Sequence, residues 1–373
     1  MNKDASLFLP ASLSRRQVLQ STCLSFGWLA ARQILDAAPG GTTLAARDGH
    51  FPGKITSVIM LTQVGGPSQM DLFDPKPALE RLHGKTAGGH FETLQRGSEK
   101  QILMKTPFQF ARHGDCGMQF SELLPELASR ADDLCMVRSM HGAHNNHPQA
   151  QRFLHSGKTQ ALWPSLGAWI CYGLGSENRD LPGFVVVGRG APAVGGAAQW
   201  GNGFLPATYQ GTLFRTGATP IVDLKPRPGQ SLDRQRDELD LLRWFNERHA
   251  AMRSTTSDLE GRIAAFEVAF KMQTEAPELI DISGESAATR KLYGIDNSAT
   301  ETFGRQCLLA RRMVERGVRF VKLLHGSGKP WDQHSGIKGT LPRLCKEVDQ
   351  PITGLLRDLR ARGLLEDTLV VWA

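Results

Sequence analysis

Short apolar runs recur along the chain, and most are followed by a compact polar cluster. The first run, Val58-Ile59-Met60-Leu61, is too short for a free-standing helix and rich in strand formers. A strand buried on both faces of a parallel sheet reads as such a continuous run. Leu134-Cys135-Met136-Val137 reads as a second strand. Residues 181–187, with a Pro-Gly turn before Phe184, read as a third, residues 317–324 as a fourth, and residues 368–372 begin another. Between these runs the apolar spacing becomes helical. Residues 120–131 place Leu123, Leu124, Leu127 and Ala128 on one face. A helix follows Pro148, a residue suited to a first helical turn, and residues 166–172 form another that ends at Gly173.

Residues 188–217 have no helical period and read as a long loop. Three amphipathic helices follow, at 232–253, 257–272 and 303–316. They are expected to form a helical insertion over residues 231–316, with apolar stripes facing the core and His249 partly buried. Residues 341–362 carry a stripe of Leu344, Val348, Ile352, Leu355, Leu356 and Leu359. Pro351 inside that stripe predicts a kink or break. Alternation of strands and helices argues for an α/β fold with a mostly parallel sheet and right-handed crossovers.

In open α/β sheets ligands bind beyond the carboxyl ends of strands, so the polar clusters there are the candidate chemistry. The first is Gly65-Gly66-Pro67-Ser68 with Asp71 and Asp74, a backbone loosened by glycines near two carboxylates and a hydroxyl. The second is His141-Gly142-Ala143-His144-Asn145-Asn146-His147-Pro148, the densest group of nitrogen ligands in the chain. It ends at a helix start, whose free N–H groups and dipole favour anions. The third is Trp331-Asp332-Gln333-His334, where an Asp and a His two apart can reach one divalent ion. Read plainly, the three are a solvated turn, a turn with a capping Asn, and a loop anchored by Trp331. If all three follow strands, they meet at one sheet edge.

With 373 residues the chain can bury a sizeable core, as one large domain or two. The formal charge of +7 is interleaved with acids, and no basic stripe alternates with aromatics. Nucleic acid is therefore not an expected partner, while anionic substrates gain a bias. Six scattered cysteines form no CxxC pair, which argues against zinc-ribbon or thioredoxin chemistry and for small buried thiols. Arg15-Arg16 before a moderately apolar run at 24–35, with alanines after it, resembles a twin-arginine export leader over residues 1–46. Arg32 within the run departs from that pattern. No later run reaches the roughly 18 apolar residues of a membrane helix, so no stable membrane span is expected.

Gly65-Gly66-Pro67-Ser68 with Asp71-Leu72-Phe73-Asp74-Pro75-Lys76-Pro77 resembles the signature of the bacterial domain-of-unknown-function 1501 family. Tyr172-Gly173-Leu174-Gly175-Ser176-Glu177-Asn178, the Asn146-His147 passage, Trp331-Asp332-Gln333-His334 and the stretch 341–372 extend the resemblance over essentially the whole chain. Members are abundant in Planctomycetes and commonly exported, which implies a periplasmic or extracellular protein. The family is similar to the alkaline phosphatase and sulfatase superfamily. The resemblance implies a three-layer α/β/α sandwich over residues 51–373 with a divalent metal at strand ends: Zn, Ca, Mg or Mn.

On that resemblance Asp71, with Asp74 as the alternative, would join Asp332 and His334 as metal ligands. His147 falls where the superfamily carries its nucleophilic Cys or Ser, with Asn146 just before it, so metal-bound water would attack directly. Asn146 and His147 would orient the water or the substrate anion. Family members also continue into a Gly-Glu-Phe-Gly-Arg-Thr-Pro loop and an Asp-His pair. This implies a C-terminally truncated, inactive chain. The implied activity is hydrolysis of an anionic small-molecule or polysaccharide ester; the alternative is a non-catalytic exported binding or scaffold protein.

Overall fold

The computed structural model describes residues 45–47, 49, 53–87, 100–189, 195–216, 220–221, 224, 226, 229–251 and 257–373. The expected leader lies outside these, apart from its last two residues. The helices and strands run in the order β1 (Ser57–Gln63), α1 (Gln69–Leu72), α2 (Pro77–Leu82), β2 (Phe110–His113), β3 (Met118–Ser121), α3 (Pro125–Ala128), α4 (His147–Ser156), α5 (Leu166–Leu174), β4 (Phe184–Gly188), β5 (Thr212–Arg215), α6 (Leu232–Ala251), α7 (Ser257–Ile280), α8 (Ala287–Leu292), α9 (Glu301–Glu315), β6 (Phe320–His325), α10 (Ile337–Ala361) and β7 (Thr368–Trp372).

Five strands form one sheet in the order β5-β4-β6-β1-β7, and every pairing in it is parallel. Register sets Val58 opposite Phe320 and Gln63 opposite His325. The sheet is covered on both faces, as the unbroken apolar runs of β1, β4 and β6 require. One face carries Ile59, Leu61, Val185, Val187, Val321 and Leu323 against Cys307, Leu308 and Met313 of α9 and Leu344 and Val348 of α10. The other carries Met60, Val186, Phe320 and Leu324 against Ala168 and Cys171 of α5. This is the expected α/β/α sandwich.

Several local expectations change. Residues 134–137 are not a strand: Leu134 and Met136 pack inward while Cys135 and Val137 are exposed, and the segment lies outside both described sheets. Its alternation is that of an extended chain lying on the core without a ladder. The helix expected over 120–131 shrinks to α3, because Phe120 belongs to an antiparallel hairpin of β2 and β3. The buried carboxylate of Asp349, on α10, accepts hydrogen bonds from the N–H groups of Glu126 (2.9 Å) and Leu127 (2.8 Å). It thereby satisfies the start of this short helix from another element. The expected long loop holds β5, an edge strand with Phe214 buried.

Pro351 does not break α10, which also contains Pro342. A proline inside a helix costs about 3 kcal/mol. Burial of Leu344, Val348, Ile352, Leu355 and Leu359 on one continuous stripe outweighs that local loss. On α6 the expected core-facing stripe is open to solvent at Leu242 and Phe245, and His249 is exposed. α6 is tied to α7 through the Arg236 guanidinium, which meets both oxygens of Glu267 at 2.8 and 2.9 Å. Of the cysteines, Cys171, Cys307 and Cys345 are buried, while Cys116 and Cys135 are exposed.

Candidate functional site

The loops that leave β1 and β6 lie side by side beyond the carboxyl ends of these adjacent strands. Val64 N–H donates to His325 O (3.4 Å), and Trp331 N–H donates to Val64 O (3.2 Å). Gly65 and Gly66 turn the chain with φ of 115° and 86°. A Cβ on Gly65 would lie 2.7 Å from the backbone nitrogen of Asp332. Glycine is needed here for conformation and for close approach together. Gly65→Ala should therefore destabilise the fold by about 2–3 kcal/mol and displace Asp332. Denaturant unfolding reads the first effect and any activity of the site the second.

Trp331 is fully buried, and its indole N–H donates to His325 Nδ1 at 2.8 Å. That bond leaves the ring proton on Nε2, which faces Glu347 Oε2 at 3.1 Å. The anchored loop holds Asp332 in place. Its Oδ2 receives three donors: His147 Nε2 at 2.8 Å, His334 Nε2 at 2.9 Å and Lys329 Nζ at 3.0 Å. Burial raises the Asp332 carboxyl, but hydrogen bonds from Lys329, His147 and His334 outweigh it and hold the group below the usual carboxylate range.

His147 stands 185 positions from Asp332 and comes to it on α4. Asn146 is the N-cap residue of α4, but its side chain makes no capping bond and is exposed. Its backbone N–H donates to His144 Nδ1 at 3.0 Å, a local turn. Of His141, His144 and His147, only His147, the first residue of this helix, reaches the Asp332 hub. Asp71 is buried and accepts a 2.6 Å hydrogen bond from Ser68 Oγ, and Asp74 pairs with Lys76. Among the described residues no hydrogen bond or ion pair joins Asp71 to the hub.

Metal ligands turn lone pairs toward a shared ion, whereas here two imidazoles and an ammonium crowd a single carboxylate oxygen. Among the described residues no group of three or more His, Cys, Asp or Glu is arranged to hold a metal ion. As arranged, these side chains fit a hydrogen-bonded hub and not a coordination shell.

Sequence reasoning passed over the inner face of α4. This helix buries Gln151 and His155 while Leu154 is exposed, the reverse of ordinary amphipathicity. With His147 these residues recur every four positions along one face. His155 Nε2 lies 3.0 Å from the ammonium nitrogen of Lys322, which is fully buried on β6 and also near Gln199 O (3.4 Å) and Oε1 (3.3 Å). Burial drives the pKa of Lys322 well down, and that of His155 likewise, aided by the lysine's charge. The signal was present: Lys322 interrupts an otherwise apolar strand, an abnormal place for a charge.

Burial lowers the pKa of Lys322 in the folded chain, while the unfolded chain keeps the ordinary value of about 10.4, so between the two the folded chain binds fewer protons. Stability thus rises with pH between the lowered value and the ordinary one. The double variant Lys322→Met, His155→Leu should stabilise the protein by about 1–3 kcal/mol near neutral pH. The gain should vanish above the ordinary lysine range. Denaturant titrations across pH check both points.

This parallel α/β sheet sets an aspartate–histidine hub beyond its central strands, the place where open α/β sheets in general bind their ligands. Residues 55–373 match the model of the family described as protein of unknown function (DUF1501), and the chain belongs to that family. No curated protein and no solved structure matches the chain.

Proposed function

We propose that the chain is a hydrolase of anionic esters, phosphate or sulfate, of the kind found in the superfamily its family resembles. The observation that supports this is the Asp332–His147 pair, assembled from distant segments at a helix start beyond the sheet edge. A histidine that donates one ring N–H to a carboxylate presents its other nitrogen as a base. With Nε2 bonded to Asp332, Nδ1 of His147 is the atom to take a proton from water. The water oxygen forms the new bond to phosphorus or sulfur. The ester oxygen departs and recovers the proton from the imidazolium.

The N–H groups at the start of α4 and the Lys329 ammonium would hold the anion. Asn146, beside His147, would orient it. No step in this reading runs through a divalent cation. An exported setting, periplasmic or extracellular, belongs to the same reading and rests on Arg15-Arg16 and the apolar run after it.

The second reading is a binding or scaffold protein that keeps the fold without turnover. It is favoured by a histidine at the helix start, where the superfamily's hydroxyl or thiol nucleophile is expected. The test is hydrolysis of an aryl phosphate and an aryl sulfate, alone and with Zn, Mg, Ca or Mn added. Turnover that disappears in His147→Ala supports the enzyme. Absence of turnover on both esters under every condition leaves the scaffold.

A further inference from the structure

We propose that an exposed face formed by Leu162, Trp163, Leu166, Trp169, Tyr172 and Phe204 docks the protein on an anionic lipid surface. The argument starts from α5, whose sequence LGAWICYGL has no charged residue. A helix that is apolar all round belongs inside a core or a membrane. Yet α5 turns its small residues, Gly167, Ala168 and Cys171, inward. It displays its large ones: Leu166, Trp169 and Tyr172 are 44%, 39% and 40% exposed. The inward face must be small, because a Cβ on Gly167 would lie 2.7 Å from the ring of Phe184. The large side chains therefore contribute little to packing on the sheet.

Neighbouring segments enlarge this face. Phe204 is 61% exposed and Leu162 79%. Ring contacts join the aromatics into one surface: Trp163 to Phe204 at 5.6 Å, Phe204 to Trp169 at 5.6 Å, and Trp169 to Tyr172 at 6.0 Å. Single exposed apolar residues are ordinary, but contiguous ones mark an interaction site.

Charge selects the occupant. Lys158 Nζ sits 5.3 Å from the Trp163 ring centre, and the Arg47 guanidinium 6.0 Å from that of Tyr172. Trp and Tyr flanked by Lys and Arg match the boundary between lipid headgroups and acyl chains. The formal charge of +7 adds attraction to an anionic leaflet. Leu162 and Leu166 suit acyl chains. A polysaccharide would need open ring faces, but these rings meet edge to face and two of them already carry cations. Among the described residues no helix is long and apolar enough to cross a membrane, so this association is peripheral.

The experiment is co-sedimentation of the full chain with phosphatidylcholine vesicles, with and without phosphatidylglycerol. Wild type should partition to the vesicles containing phosphatidylglycerol. The double variant Trp163→Asp, Phe204→Asp should weaken that partition by about tenfold or more. Lys158→Glu should weaken it about fivefold on the anionic vesicles only. Trp244→Asp, Phe245→Asp, on the exposed aromatics of α6, should leave it unchanged. Every protein keeps the same N-terminal residues, so a leader contributes equally to each. If the double variant folds poorly, Lys158→Glu decides. Equal partition of wild type and the patch variants overturns the proposal. So does binding to dextran sulfate but not to vesicles, or a dimer in sedimentation velocity that the patch variants dissociate.

Discussion

Replacing Arg311 with methionine should remove about 3–5 kcal/mol of stability, with the midpoint of thermal unfolding lowered by roughly 10 °C. Arg311, on α9, is nearly inaccessible to solvent. It bonds Glu285 at 2.8 Å and Glu315 at 2.5 Å. Its Nε also lies 3.0 Å from Asp358 Oδ2 on α10, off the line of a hydrogen bond. Asp358 in turn accepts from the Tyr293 hydroxyl (2.9 Å) and Arg362 Nε (2.8 Å). One guanidinium thus touches three carboxylates where α9 meets α10, the layer behind the sheet, and with Arg312 and Arg362 it balances their charge. Methionine fills the volume but leaves those charges short of a cation in a poorly solvated place, which is the expensive way to break a buried ion pair. Glu285 keeps Arg312 at 2.9 Å, while Asp358 and Glu315 must then share Arg362, which meets each of them at 2.8 Å, so these two should bear most of the loss. Arg311→Lys keeps the charge without the planar fork and should lose less. A measured change below about 1 kcal/mol in Arg311→Met would refute this account and mean that Arg362 alone suffices.

Asp332→Ala should reduce turnover of the aryl ester by about a thousandfold, within the range for losing a positioned acid–base pair. It should leave stability almost unchanged, because two of its three donors, His334 and Lys329, are well exposed to water. Steady-state kinetics beside thermal unfolding separates the two effects. Asp332→Asn is the sharper variant: the amide can still accept a hydrogen bond from His147 but has no charge to stabilise an imidazolium. Activity lost in Ala and kept in Asn would reduce the aspartate to a spacer. The wild-type carboxyl stays ionised below its ordinary pKa of about 3.9. The stability its hydrogen bonds contribute is thus present above that value and fades as the pH falls through the lowered one. The hub should be intact throughout the neutral range.

The fold was legible where burial on both faces demands uninterrupted apolar residues. Val58 to Leu61, the strand after Gly183, the run through Phe320 and the one at Thr368 all lie in the sheet. The run at Leu134 failed because alternation tells which side chains point inward, not whether a ladder partner exists. β5 escaped because an edge strand of four residues needs little more than Phe214. At the site, Asp332 and His334 do lie in the loop after β6, but the strand expected before His147 does not form, and His147 reaches Asp332 because α4 carries it there. The orientation of Asp71 was not legible, since a carboxylate three residues after a serine has a local partner at hand, and sequence cannot say which partner wins. Lys322 was visible and unused. His155 gave no signal, because its partner is 167 residues away.

Trp331 limits how this protein can handle whatever it binds. The residue next to Asp332 is held by an indole bonded to His325, which in turn meets Glu347 on α10. Swinging that loop outward would strand a buried indole N–H and a buried imidazole. It is therefore a fixed wall rather than a lid, and the position of Asp332 is set in advance. Opening and closing of this segment should not be the slow step of any cycle the protein performs.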